Sequence, residues 1–323
     1  MKRLLGISIV LLLLIGVGGV GYAYYWFNSP LKNDTQRVWL APGTGQKGIA
    51  ATLSSTFGGT RWHWLAALEA SKRLYKSRVQ AGEYDIAIGQ SPRDIINQLS
   101  SGKVVQHRIT LVEGWTSQQI VAALNSNDIL SGAAIETLAE GSILPETYFF
   151  TRGTTRAEFL ARLEQKHART LNELWQNRAA DVPLQTPIEA VILASIIERE
   201  TPKKSEYGLV SSVYTNRLRI NMPLQADPTV VYAASNGSGD LGRPLSRADL
   251  RAPSPFNTYL NNGLPPSPIC HPSAGAIRAA LNPERSEYYY FVADGTGGHA
   301  FGKTLDEHNR NVAKWRRIEA AEN

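Results

Sequence analysis

From Leu4 to Phe27 the chain runs for 24 residues without a single charge. About 20 apolar residues cross a bilayer as a helix, so this stretch is long enough to span one. Lys2 and Arg3 precede it, and the positive-inside rule places them in the cytoplasm. The sequence thus predicts a cytoplasmic tail over 1–3 and a transmembrane helix over 4–27. Tyr22, Tyr24, Tyr25 and Trp26 gather at its far end, as an interfacial aromatic belt does. A cleaved signal peptide has a shorter apolar core of ~7–15 residues and a small-x-small cleavage site. No convincing site stands near Ala23, so a retained anchor is expected. Everything after Asn28 then lies outside the cytoplasmic membrane.

The remainder is long enough for two compact domains, and 43% hydrophobic residues supply their cores. The net charge of +6, from 34 basic and 28 acidic residues, is spread along the chain. It suits an anionic polymer or a membrane surface. No basic block with interleaved aromatics appears, so nucleic acid is not an expected partner. The single cysteine, Cys270, excludes an intramolecular disulfide and reads as a small buried residue.

Residues 28–37 form a polar linker. Three segments of common shape follow, each an apolar run, a Gly-containing turn and a helical pattern. They are Val38–Leu40 with Ile49–Leu53, Tyr84–Ile88 with Ile95–Leu99, and Ile109–Val112 with Ile120–Leu124. Ser91 is expected to cap a helix with Pro92 in first position and Asp94 three residues on. Thr116 and Gln119 match a capping box. Arg61–Arg73 reads as a further helix, and residues 145–185 as mostly helical. Strand–helix units of this size suit either a recognition module or a structural spacer.

Pro187–Glu200 is the strongest helix. Ala190–Ile197 is apolar on every side except at Ser195, which argues for a buried helix, and Pro202 stops it. Its last turn carries Glu198 and Glu200. Desolvation and the helix macrodipole both disfavour an ionised carboxylate there, so a proton-donating acid is expected. Residues i and i+2 lie about 200° apart on a helix, so only one glutamate faces a given cleft. Glu198 follows the small Ala194 and Ser195, which leave room for a ligand. Glu200 lies over Ile196 and Ile197 and is expected to pair with Arg217 or Arg219. The catalytic role is therefore expected on Glu198.

Ser205–Ile220 reads as the next helix, with Ser205 as its cap. Asp227 reads as an N-cap with Pro228 in first position, and Gln225 as a loop amide able to hold sugar hydroxyls. Phe256 and Tyr259, in a stiff Pro- and Asn-rich loop, read as a sugar platform or as packing. Tyr288–Ala293 and His299–Phe301 form a hairpin, and Thr304 with Glu307 opens a last helix. His271, His299 and His308 lack metal-ligand spacing. No Gly-x-Ser-x-Gly, His-Glu-x-x-His or phosphate loop is present.

These segments together resemble a known family. Ala194–Thr201, Asn216-Arg217-Leu218, Leu224–Thr229, Leu245–Leu250, Asn257-Thr258-Tyr259, Gly263–Pro266 and Phe291–Gly295 are similar, in order and spacing, to the endolytic murein transglycosylases of the MltG (YceG-like) family. Leu144–Tyr148 matches a further segment, with Glu146 where Asp is usual, and Ser267–Pro272 departs from the pattern. The resemblance implies an α+β protein with a LysM-like subdomain over 38–105, a connecting region over 106–185 and a catalytic domain over 186–323. It implies cleavage of the β-1,4 bond between N-acetylmuramic acid and N-acetylglucosamine within peptidoglycan strands, leaving 1,6-anhydro ends. The family's catalytic glutamate maps onto Glu198. Glu200, Asn216, Gln225, Asp227, Thr229, Asn257 and Tyr259 stand as binding or supporting residues, and neither metal nor cofactor is required. The location implied is the inner membrane, N-terminus in the cytoplasm and catalytic domain in the periplasm, beside cell-wall synthases. A non-catalytic, membrane-anchored glycan-binding scaffold is the alternative.

Overall fold

The computed structural model describes residues 2–32 and 34–322. Its elements are helix α1 (Lys2–Asn28), strand β1 (Gln36–Leu40), α2 (Gln46–Phe57), α3 (Arg61–Tyr75), β2 (Gly82–Ile86), α4 (Pro92–Ser100), β3 (His107–Thr110) and α5 (Ser117–Asn125). There follow β4 (Thr147–Phe150), α6 (Arg156–Gln176), α7 (Pro187–Glu200), α8 (Tyr207–Arg219), α9 (Asp227–Ala234), α10 (Ala274–Leu281), β5 (Tyr290–Ala293), β6 (His299–Gly302) and α11 (Leu305–Glu322). The fold is mixed α+β, with small two-stranded sheets among helices. The chain divides into two compact units, Met1–His107 with Phe149–Thr154, and Arg108–Tyr148 with Thr155–Asn323.

In the first unit β1 runs antiparallel to β2, with Val38 opposite Tyr84 and Leu40 opposite Gly82. Side chains alternate along a strand, so Val38 and Leu40 point inward together. They meet Ile86 of β2 and Leu53, Trp64, Ile95 and Leu99 from the covering helices. The buried Tyr84 hydroxyl donates to the carbonyls of Gln80 and Leu99. Ser91 caps α4 as expected: its Oγ accepts from the Asp94 amide at 3.2 Å, and the Asp94 carboxylate returns to the Ser91 amide. Within α1, Val10–Asn28 is apolar enough to cross a membrane, with a mean hydropathy of 1.7.

Only two of the three strand–helix segments belong to this unit. The third forms β3, the turn after it and α5, and α5 packs in the second unit. Thr147–Phe150, expected to lead into helix, is strand β4. Its Thr147 hydroxyl meets that of Thr110 at 2.9 Å.

The second unit is built around α7, which is buried from Ala190 to Ile197. Thr186 caps it through the Glu189 amide, and Thr201 leaves in extended geometry before Pro202. Helices α8 and α10 pack along it, joining Leu193, Ile197, Val210, Tyr214 and Ile277 in one core. Two expected caps are absent. Ser205 lies inside a 3-10 turn (Lys204–Glu206), and α8 starts only at Tyr207. Ala226, not Asp227, occupies the N-cap position of α9. Asp227 is already helical, and its carboxylate accepts from the Tyr259 hydroxyl instead. The C-terminal hairpin has the expected form, with Phe291 opposite Phe301. Gly295 turns it at φ 82°, and the Asp294 carboxylate accepts from the amides of Thr296 and Gly298.

Candidate active site

The end of α7 sends its two glutamates to different surroundings. Glu198 reaches the start of α10. Its Oε2 accepts from the Ser273 amide at 2.8 Å and the Ser273 hydroxyl at 2.6 Å, and its Oε1 from the Tyr207 hydroxyl at 2.7 Å. Ser273 is the N-cap of α10, so this carboxylate also meets the positive end of a helix. Burial, and then the Glu198 carboxylate, hold the Tyr207 phenol well above its ordinary range. Glu198 thereby joins α7, α8 and α10.

Glu200 turns into a cleft of about 290 Å³. Its carboxylate accepts from the Tyr214 hydroxyl at 2.5 Å. Burial raises its pKa to about 7; the Asp227 charge adds to the rise, while Tyr214 and Arg217 oppose it. Arg217, Gln225, Asp227 and Tyr259 form the rest of the polar wall, and Tyr290 and Phe291 form an aromatic one. Leu305 and His308 close it from α11.

The neighbours of this cleft are fixed by buried hydrogen bonds. Arg217 donates to the carbonyls of Tyr289 at 2.7 Å and Leu224 at 2.6 Å, tying α8 to the hairpin and the 222–226 loop. Gln225 sits at φ 50°, a conformation costly for a residue with a Cβ. The surrounding bonds hold it there: its amide donates to the Thr258 carbonyl, and the next amide to the Thr258 hydroxyl. Non-glycine strain of this kind gathers at functional sites. Tyr259 is placed by Asn257, whose Oδ1 accepts from the Tyr259 amide at 3.0 Å. Burial, and then the Asp227 carboxylate, keep the Tyr259 phenol protonated far above its usual range.

The structure thus reverses the expected orientation of the two glutamates. The room beside Ala194 and Ser195 is filled by protein. Ser195 Oγ accepts from the Ile269 amide at 3.0 Å, and the Cys270 thiol donates to the Ser195 carbonyl. Cys270 is fully buried there. Nor does Glu200 form the expected ion pair. Among the described residues its hydrogen-bond partner is Tyr214, and Arg219 turns to Asp181 and Asn216.

Of the expected binding residues, Glu200, Gln225, Asp227 and Tyr259 come together in the cleft. Asn216, Thr229 and Asn257 are buried behind it. Asn216 holds the carbonyls of Ser286 and Tyr288, Thr229 bonds Ala226 and Thr258, and Asn257 holds those of Leu250 and Ala252. Phe256 packs on Tyr232 with ring centroids 5.0 Å apart, so it does not share a platform with Tyr259. Tyr214, Tyr290 and Leu305 are cleft residues that the sequence did not single out, and His308, weighed only as a metal ligand, joins them. The hairpin motif marked Phe291 as structure, and nothing marked its neighbours as ligand-facing.

The model of the YceG-like family matches residues 38–314. The chain belongs to the YceG-like family. Among its relatives is an endolytic murein transglycosylase from Bacillus subtilis (strain 168), 31% identical over 74% of each chain. Another protein of that name, from Streptococcus pneumoniae (strain ATCC BAA-255 / R6), is 27% identical over 95% of this chain. The present chain spans only 64% of that longer pneumococcal relative. The crystal structure of a putative yceG-like protein from Listeria monocytogenes superposes with a TM-score of 0.51 at 26% identity. It covers 86% of this chain and 99% of its own.

Proposed function

We propose that this YceG-like protein is a membrane-anchored endolytic murein transglycosylase and that Glu200 is its acid and base. The observation that carries this is the Glu200 carboxyl, set in a polar and aromatic cleft with its pKa raised to about 7. Such an acid holds a proton near neutral pH and can still release it. The names of the relatives supply the substrate class, peptidoglycan.

The reaction needs one carboxyl. Glu200 protonates the bridging oxygen as the bond from the anomeric carbon of N-acetylmuramic acid breaks. N-acetylglucosamine leaves with that proton on its 4-hydroxyl. Positive charge develops on the ring, and the carboxylates of Glu200 and Asp227 favour it electrostatically. The muramyl 6-hydroxyl then attacks the anomeric carbon, and Glu200 takes its proton. The product is a 1,6-anhydro ring, no water is consumed and the acid is regenerated. Tyr290 and Phe291 offer faces for a sugar ring, and the Gln225 amide a partner for its hydroxyls. Two-carboxylate hydrolysis, by contrast, needs a second residue to activate water or attack the sugar.

In the first unit the order β1–α2–α3–β2 with antiparallel strands supports the LysM-like, glycan-binding reading of residues 38–105. The apolar run of α1 supports an inner-membrane anchor, with the catalytic unit in the periplasm and nascent strands from wall synthases as substrate.

Mass spectrometry of digested peptidoglycan tests the assignment. Wild type and Glu198→Gln should both release anhydro-muropeptides, and Glu200→Gln should lower release by roughly 10²–10⁴-fold, the usual worth of a general acid–base. Reducing ends, heavier by one water, would indicate a hydrolase. Loss of activity in Glu198→Gln alone would return the role to Glu198. No release by wild type would favour the scaffold.

A further inference from the structure

The first unit has a concavity of its own. It is a groove of about 370 Å³ between α1 and α3. Val20, Ala23 and Phe27 form one wall, at helical spacing along α1. Ala66, Ala70 and Leu74 form the other along α3. The three alanines leave the space that larger side chains would fill. Arg93, in the first turn of α4, lies at one end, over the Tyr75 ring at 5.1 Å and donating to the Asn28 side chain at 3.4 Å.

This groove has a direction. Asn28 is the last residue of α1 and Val20 lies two turns earlier, ~12 Å along the axis at 1.5 Å per residue. The cation therefore sits where α1 leaves the apolar segment, and the apolar walls continue toward the part that enters the membrane. That is the arrangement of a phospholipid, with its phosphate at the interface and its chain pointing inward. The end of α3 beside Arg93 has a matching character. Leu74, a groove residue, is 73% exposed and Tyr75 49%, and Lys72, Lys76 and Arg78 surround them in the sequence. Exposed apolar side chains beside cations suit an interfacial surface on an anionic leaflet.

Resting on the membrane anchor proposed above, we infer that this groove holds an acyl chain of an anionic phospholipid from the membrane that α1 enters, its phosphate on Arg93. The bound lipid would fill the space between α1 and α3 and fix the first unit against the bilayer.

The test uses the full chain in nanodiscs of equal palmitoyl-oleoyl phosphatidylglycerol and phosphatidylcholine. Native mass spectrometry after extraction reads the lipid retained on the protein. Wild type should keep phosphatidylglycerol in preference to phosphatidylcholine. Arg93→Gln should cut that preference roughly fivefold, the worth of one cation at an anionic surface. Ala66→Phe, at an exposed groove position, should lower retention of both lipids. Equal retention of the two lipids by wild type, or unchanged retention in both variants, overturns the inference. So does a dimer that Ala66→Phe dissociates, which would put a second copy in the groove. Resistance to alkaline extraction is measured alongside: without it the anchor and the inference fall together, and with it a failed retention removes the inference alone. Anhydro-muropeptide release reports on catalysis separately.

Discussion

At the scale of single residues, Glu198 and Glu200 share a helix turn and differ by what surrounds them. Glu198 accepts three hydrogen bonds, two from one N-cap serine. Glu200 receives one hydroxyl and faces the cleft beside Asp227. A carboxyl whose folded pKa is raised binds its proton more tightly in the folded state. Stability is then greatest below the unfolded value and falls as pH rises toward the folded one. Glu200, and Glu140 behind the Ser117 amide, both rise from 4.5 to about 7 through burial. Thermal stability should therefore decline between about pH 4.5 and 7. Glu200→Gln, which removes one of these charges, should melt higher than wild type at pH 8 and differ little at pH 4, as calorimetry would read. Activity should fall above pH 7 as the proton on Glu200 is lost. A rate still climbing at pH 9 would argue against this acid.

At the scale of elements, the site is the meeting of the α7 C-terminus, α8, the 222–226 loop and the β5–β6 hairpin. Arg217 and Asn216 of α8 bind the carbonyls of Ser286, Tyr288 and Tyr289, which lead into the hairpin. The α7–α10 junction is a separate joint, closed by Glu198 on Ser273. Charge-assisted bonds of this kind contribute about 1.5–3 kcal/mol. Ser273→Ala should lower urea stability by that order while leaving the pH profile of catalysis in place. Gln225→Gly would relieve a left-handed conformation, offsetting about 1 kcal/mol of strain, but remove the cleft amide. It should unfold at higher urea yet show weaker substrate affinity, seen as a raised KM.

Some of these elements were legible beforehand. The caps at Ser91 and Thr304, the apolar α7 and the hairpin each follow from neighbours within four residues. Helix α10 and strand β4 were not expected. Helix α10 has only eight residues, burying Ala276, Ile277, Ala280 and Leu281, too short a run for the helical period to stand out among small residues, and β4 depends on a partner 37 residues earlier at Thr110.

At the scale of the molecule, the chain leaves the first unit after His107 and returns to it for Phe149–Thr154. No composition change marks that return. Trp26 and Phe27 pack on the first unit's core, so a chain beginning at Tyr22 should keep that unit folded while losing membrane integration. It should still form anhydro ends on soluble glycan strands, as product analysis would show.

The apolar N-terminal helix, the buried helix ending at Thr201 and the opposed directions of its two glutamates are all legible in the sequence. Those rest on hydropathy, a proline and the 3.6-residue period, all local. Which glutamate lines the cleft follows from packing between distant parts of the chain. A helix period fixes the angle between two side chains but not what packs against either one. Here residues 269–273, some 70 positions downstream, bond Ser195 and Glu198, while Glu200 lines the cleft.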